Sequence, residues 1–200
     1  MKTYNVTLIN GEPNDDTWKS VPTAVLDVMY YPAFPSPYRT EGQLVYNDRA
    51  LYVHMKTTEK KIRAYCNNRN DEVCEDSCME FFIAPDSDDT RYFNFEINAI
   101  GTLLLYVCKN KTEMTPTTDD ARIFNIKTII TNDGWELFYE IPFSFMTKYF
   151  NKVSPTMIAN FYKCGWQTDP RHFSAWNKPL DAPSDVHRPE DFGLLIFEGK

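Results

Sequence analysis

The chain has 200 residues, 42% hydrophobic, 15% aromatic and 24% charged, which is enough apolar mass for a sizeable core and unlike a disordered tail. Its net charge of -7, with 21 Lys and Arg scattered along the chain, argues against a nucleic-acid partner, which would need clustered cations. No apolar run approaches the roughly 20 residues that span a bilayer, and no signal-peptide core follows Met1 and Lys2, so no membrane partner and a cytoplasmic location are expected.

In chain order the signal is one of short strands separated by polar turns and by many of the 13 prolines, with little helical period. Ala50 to Met55 alternates, with Leu51, Val53 and Met55 on one face and Tyr52 and His54 on the other. Ile62, Ala64 and Cys66 oppose Arg63 and Tyr65 in the same way.

The strongest pair is Ser77 to Ala84 and Arg91 to Ala99, joined by Pro85 to Thr90, whose Pro, Asp and Ser suit a hairpin loop. Met79, Phe81 and Ile83 are then core partners of Phe93, Phe95 and Ile97. The other face carries Cys78, Glu80 and Phe82 against Tyr92, Asn94, Glu96 and Asn98, and a register centred on the loop sets Glu80 opposite Asn94. This second face is rich in polar groups.

Further strands are expected at Leu103 to Cys108, Ile123 to Thr131, Trp135 to Ile141, Ala159 to Cys164 and Gly193 to Phe197. Ser144 is placed to cap a brief helix over Phe145 to Phe150. With no internal repeat or linker, the expectation is an all-β, single-domain antiparallel β-sandwich over residues 1–200, with long Pro-rich loops at 10–42 and 165–192 and little helix.

The five cysteines, Cys66, Cys74, Cys78, Cys108 and Cys164, are an odd set without a repeated spacing, so reduced thiols are expected. Cys66, Cys74 and Cys78 lack the second Cys or His pair that a zinc site would add, and no metal is assigned. Catalytic motifs are absent too: there is no nucleophile elbow, phosphate-binding glycine loop or His-Glu-x-x-His. Carboxylate pairs such as Glu80 with Glu96, or Glu136 with Glu140, leave a glycoside-processing enzyme as an alternative, but acidic residues are common here.

The C-terminal run sets Trp176 in Ser174-Ala175-Trp176 near the polar turn His187-Arg188-Pro189-Glu190-Asp191. An aromatic face and planar hydrogen-bonding groups together match a sugar ring, which shows C–H bonds on its faces and hydroxyls around its rim. Trp18 and Trp135 sit in core-like patterns, and Trp166 follows Gly165 at the edge of a polar loop.

The lead at Asp16-Thr17-Trp18, LYVHMKT (Leu51 to Thr57), DSCMEFFIAP (Asp76 to Pro85), YFNFEINAIGTLL (Tyr92 to Leu104), GWELFYEIPF (Gly134 to Phe143), and NFYKCG followed by SAW and HRPEDFG resemble the family 9 carbohydrate-binding module and its DOMON-like relatives, in order and nearly end to end. The resemblance implies a β-sandwich that binds a mono- or oligosaccharide without cleaving it. In that family two tryptophans grip the sugar. Trp176 matches one of them, while the positions plausible for the other hold Tyr65, Trp166 or no aromatic residue.

The expected ligand set is therefore Trp176 for stacking, with Glu96, Asn98, Arg63 and Arg188 on the hydroxyls and Tyr65, Glu80 and His187 as neighbours. Structural calcium occurs in some relatives, but no ligand set for it can be matched, and no cofactor is assigned. A haem role would need axial ligands among His54, His172 and His187, and no spacing favours it. The other alternative is an interaction or structural protein that keeps the sandwich and has lost the sugar site.

Overall fold

The computed structural model describes residues 1–177 and 185–199. In chain order it contains β1 (Thr3–Leu8), α1 (Asp15–Ser20), β2 (Ala24–Val25), β3 (Thr40–Tyr46), β4 (Ala50–Thr57), β5 (Cys78–Ala84), β6 (Tyr92–Asn98), β7 (Leu103–Asn110), β8 (Glu113–Pro116), β9 (Lys127–Thr131), β10 (Gly134–Pro142), α2 (Phe143–Tyr149), β11 (Thr156–Gly165), β12 (His172–Ala175) and β13 (Gly193–Phe197). No described helix is long and apolar enough to cross a membrane.

The strands run β8-β7-β6-β5-β11-β13-β1-β3-β4-β10-β9 in space, with β12 beside β11 and β2 beside β3. The sheet is mixed, which corrects the purely antiparallel expectation. β1 pairs in parallel with β13 through Thr3 to Val6 and then with β3 through Thr7 and Leu8, so one strand joins the two halves. The halves curl toward each other over one core.

Period-two alternation supplies that core from both sides. Met79, Phe81, Ile83, Phe93, Phe95 and Ile97 meet Leu51, Val53, Met55, Leu137, Tyr139 and Ile141, all buried as the sequence pattern predicts. Phe81 stacks on Phe161 at 4.6 Å, and Phe95 lies 5.8 Å from Tyr139 across the layers. Gly42 of β3 faces the Phe161 ring so closely that a Cβ there would sit 2.8 Å from it, which no side chain tolerates without displacing the ring.

Three local expectations change. Residues 62–67 form no strand, because Arg63, Tyr65 and Cys66 give backbone groups to Ser77 and Asp76 and not to a strand ladder. Ala121–Phe124 forms a 3-10 turn, so the strand expected from Ile123 begins only at Lys127. α2 starts directly after Pro142 with no side-chain cap, and Ser144 lies inside the helix.

Candidate functional site: the outer face of the β5–β6–β11 sheet

The residues alternating with the core positions of β5, β6, β7 and β11 form the outer face of one half of the sheet. Glu80 pairs with Glu96, which corrects the loop-centred register by one two-residue step, and Leu104 and Tyr162 flank the pair on either side. Phe82 stands opposite Asn94, and Cys78 opposite Asn98. The cause lies in the turn: Asp86 accepts from the Asp88 and Asp89 amides, which tightens its leading end, while Phe81 meets Phe95 and Ile83 meets Phe93 inside.

Chain covers most of this face and leaves Cys74, Tyr106 and Trp166 half-buried at its margin. Val28 and Ser36 hydrogen-bond to Ala175 and Phe173, setting a segment of the long N-terminal loop beside β12. Tyr30, Val73, Phe82, Tyr92, Tyr162, Phe173 and Phe192 pack into a second apolar cluster there. The carboxyl pair lies within this cluster, Glu96 only 7% exposed and Glu80 4%.

Burial sets the charge state of the pair. The Glu96 carboxyl is pushed up to about 7, first by burial, with the Asn94 amide 2.8 Å away working against the shift and the Glu72 charge adding to it. Glu80 is raised well above the usual carboxylate range by burial and by the Glu96 charge. At neutral pH the pair thus holds at least one proton, giving a donor beside an acceptor. Two buried acceptors on this face, Asn94 Oδ1 and Glu96 Oε2, have no hydrogen-bond donor among the described residues. An acceptor left so costs about 1–3 kcal/mol.

At one end of the face, Asp76 is completely buried and accepts from the Tyr65 and Cys66 amides (both 2.9 Å), from Asn98 Nδ2 at 3.0 Å and from the Arg63 guanidinium. Asn98 also donates to Cys66 O, and its Oδ1 accepts from Ile100 and Thr102. Its amide is fully used. Asn98 and Arg63, expected on sugar hydroxyls, instead tie down the loop before β5. Tyr65 is 77% exposed, with the Arg63 guanidinium 4.6 Å from its ring centre.

At the other end, His187 packs on Phe82 at 5.2 Å, and its Nδ1 lies 2.8 Å from the Tyr92 hydroxyl. Burial lowers its pKa, so the ring is held neutral. Arg188 reaches Asp191 at 3.0 Å and Glu190 at 3.3 Å, fastening its own turn.

Trp176 is not on this face. Its indole is 4% exposed in the main core, edge-on to Tyr4 at 6.4 Å and to Phe161 at 6.0 Å. A Cβ on Gly193 would meet Trp176 Cζ3 at 2.4 Å, so β13 passes the ring only because that residue is glycine. The stacking role expected of Trp176 is therefore corrected to a packing role. Trp166 takes the outer position, half-buried, with Phe173 edge-on at 4.6 Å, Tyr31 at 5.8 Å and the Arg171 guanidinium 5.5 Å from its ring centre.

Cys78, Glu80 and Glu96 are the one described trio whose ligand atoms gather closely enough for a metal ion, within 4.8 Å of one another. Burial drives the Cys78 thiol well above its usual range, which opposes the thiolate a metal would need. All five cysteines are free thiols, as expected.

The profile of carbohydrate-binding family 9 matches residues 15–197. The chain belongs to carbohydrate-binding family 9. A protein from Bacteroides uniformis ATCC 8492, whose proposed role is carbohydrate binding, superposes with a TM-score of 0.82 at 26% identity, covering 98% of this chain and 99% of that one. A family 9 module from Caldicellulosiruptor kristjanssonii, solved with cellotriose and with glucose, superposes with a TM-score of 0.69 at 17% identity, covering 100% of this chain and 95% or 97% of the two structures. No curated protein matches.

Within this family 9 fold, Asn94 and Trp166 are the outer-face residues that sequence reasoning left off the ligand set. Asn94 lies between two core phenylalanines, so alternation gave its side but not its open acceptor. Trp166 could be found from Gly165-Trp166 at a strand end, where the alternation stops.

Proposed function

We propose that this family 9 chain is a non-catalytic carbohydrate-binding module whose sugar sits on the outer face around Glu80, Glu96 and Asn94, with Trp166 as its aromatic wall. The observation that carries the reading is the pair of buried acceptors without donors among the described residues, Asn94 Oδ1 and Glu96 Oε2, beside Glu80, whose pKa burial raises. Sugar hydroxyls both donate and accept, so they satisfy such a trio in a way that an apolar or anionic ligand does not. Glucose and cello-oligosaccharides are the first sugars to try, because the Caldicellulosiruptor module was solved with glucose and with cellotriose.

Isothermal titration with glucose, cellobiose, cellotriose, xylose, mannose and galactose tests it. Saturable heat with at least one sugar, lost in Glu96→Gln or Trp166→Ala while folding persists, is the expected result. Heat from none of them, or heat unchanged by both substitutions, defeats the reading.

A further inference from the structure

The opposite half of the sheet carries a built cavity. It measures about 450 Å³, within the ~300–1,000 Å³ typical of small-ligand sites, and lies on the outer face of β4, β9 and β10. One wall is aromatic. The half-buried Trp18 leans on His54 at 5.2 Å and on Phe138 at 6.4 Å, while His54 and Phe138 stack flat at 4.2 Å. The facing wall includes the half-exposed Ile129.

The floor is polar and held in place. Arg49 forks onto Glu140 at 2.8 and 2.6 Å, and Asn125, whose backbone is left-handed at φ 46°, donates to Glu140 Oε1 at 2.9 Å. The Tyr52 hydroxyl accepts from Arg49 at 2.8 Å and from Asn47 at 3.0 Å. No acceptor among the described residues takes its own proton. Two donors already fill the lone pairs of this oxygen, so the hydroxyl can only donate outward.

We propose that this cavity is a second carbohydrate site, one that takes a single neutral sugar unit against Trp18 and Phe138 and receives a hydrogen bond from Tyr52. An aromatic wall over a donor–acceptor floor matches the two-sided chemistry of a pyranose. The Arg49–Glu140 fork is internally neutralised, and Glu12, Asp15 and Lys127 around it leave the cavity only a small negative balance, which disfavours an anionic ligand. This site shares no residue with the Glu80–Glu96 face. A chain carrying both would hold two units of one polysaccharide, or two chains, and gain by avidity what each weak site lacks.

The indole N–H resonances of the four tryptophans separate the two sites, since Trp18 reports on this cavity and Trp166 on the other face. The intact chain is titrated with glucose, cellobiose, cellotriose, xylose, mannose and galactose while these resonances are followed. Expected is a saturable Trp18 shift with at least one sugar, retained in Trp166→Ala and weakened roughly tenfold in Tyr52→Phe, the loss of one directed hydrogen bond.

A still Trp18 beside a moving Trp166 overturns the second site and leaves the first reading intact, whereas the reverse sinks the first and upholds the second. If neither moves with any sugar, both fall. A Trp18 response abolished by Trp166→Ala, or untouched by Tyr52→Phe in a variant of unchanged melting temperature, also refutes the proposal.

Discussion

Lys163 Nζ lies 3.0 Å from Glu59 Oε2, and both side chains are completely buried where β11 meets the loop after β4. Burial alone would raise the Glu59 pKa, but Lys163 and the Ser77 hydroxyl at 2.8 Å outweigh it and hold the group below its usual value. Trp135 Nε1 donates to the same carboxylate at 3.1 Å, so three separate segments converge on one charge. Removing one member of such a pair strands the other. Glu59→Gln or Lys163→Met alone is expected to cost about 3–5 kcal/mol in denaturant unfolding, and the double variant Glu59→Gln/Lys163→Met clearly less than the sum of the two. Additive losses would show that the pair is not coupled.

His172, also buried beside this pair, has its pKa lowered to about 4, first by burial and then by the Lys163 charge. Its folded value lies below the unfolded ~6.5, so the unfolded chain binds the extra proton between the two and stability is lost as pH falls through that window. Glu96 acts in the opposite sense. With its folded value raised from 4.5 to about 7, its stabilisation is complete below 4.5 and is lost as pH rises toward 7. Glu96→Gln should therefore stabilise the fold at pH 8, by at most about 3 kcal/mol, and change little at pH 4. Melting curves at the two pH values check this. An equal effect at both would mean that Glu96 titrates normally.

The inward halves of the strands were legible because each needs only local alternation. Met79, Phe81 and Ile83 face the core for the same reason that Leu51, Val53 and Met55 do, and no tertiary knowledge is required. The outward half was harder to read. Alternation places Glu80, Glu96 and Asn94 on one face, but whether that face meets water depends on a loop carrying Tyr30 and another carrying Val73, neither of which has a periodic signal. Trp176 was misplaced for a related reason. It follows the last residue of β12, where alternation ends, and its inward turn depends on the absent side chain of Gly193 on a strand 17 residues later. Arg63 and Asn98 look like ligand groups in sequence because a buried aspartate that consumes them is one more acidic residue among 28.

Asp76 is the anchor of the loop before β5. Its pKa is lowered, with burial opposing and the Cys66 and Tyr65 amides, Asn98 and Arg63 prevailing, so its contribution is present above the unfolded ~3.8 and fades as pH falls through the folded value. Asp76→Ala leaves two amides, the Asn98 donor and Arg63 without their acceptor. A loss of about 3 kcal/mol or more is expected, with faster hydrogen exchange at the Tyr65 and Cys66 amides. Unchanged exchange there would show that other contacts hold the loop.

Trp176 and Trp166 should separate stability from binding. Trp176→Ala empties a core site between Tyr4 and Phe161 and is expected to cost about 3–5 kcal/mol, with sugar affinity retained by whatever fraction stays folded. Gly193→Ala should destabilise through the same contact, since its new methyl group would overlap the indole. Trp166→Ala removes a half-buried ring at the outer face, so the melting temperature should fall less while affinity drops. Chemical unfolding and sugar titration of the three variants decide the matter. If Trp176→Ala keeps its stability and loses sugar binding while Trp166→Ala does neither, the roles assigned to the two rings are reversed.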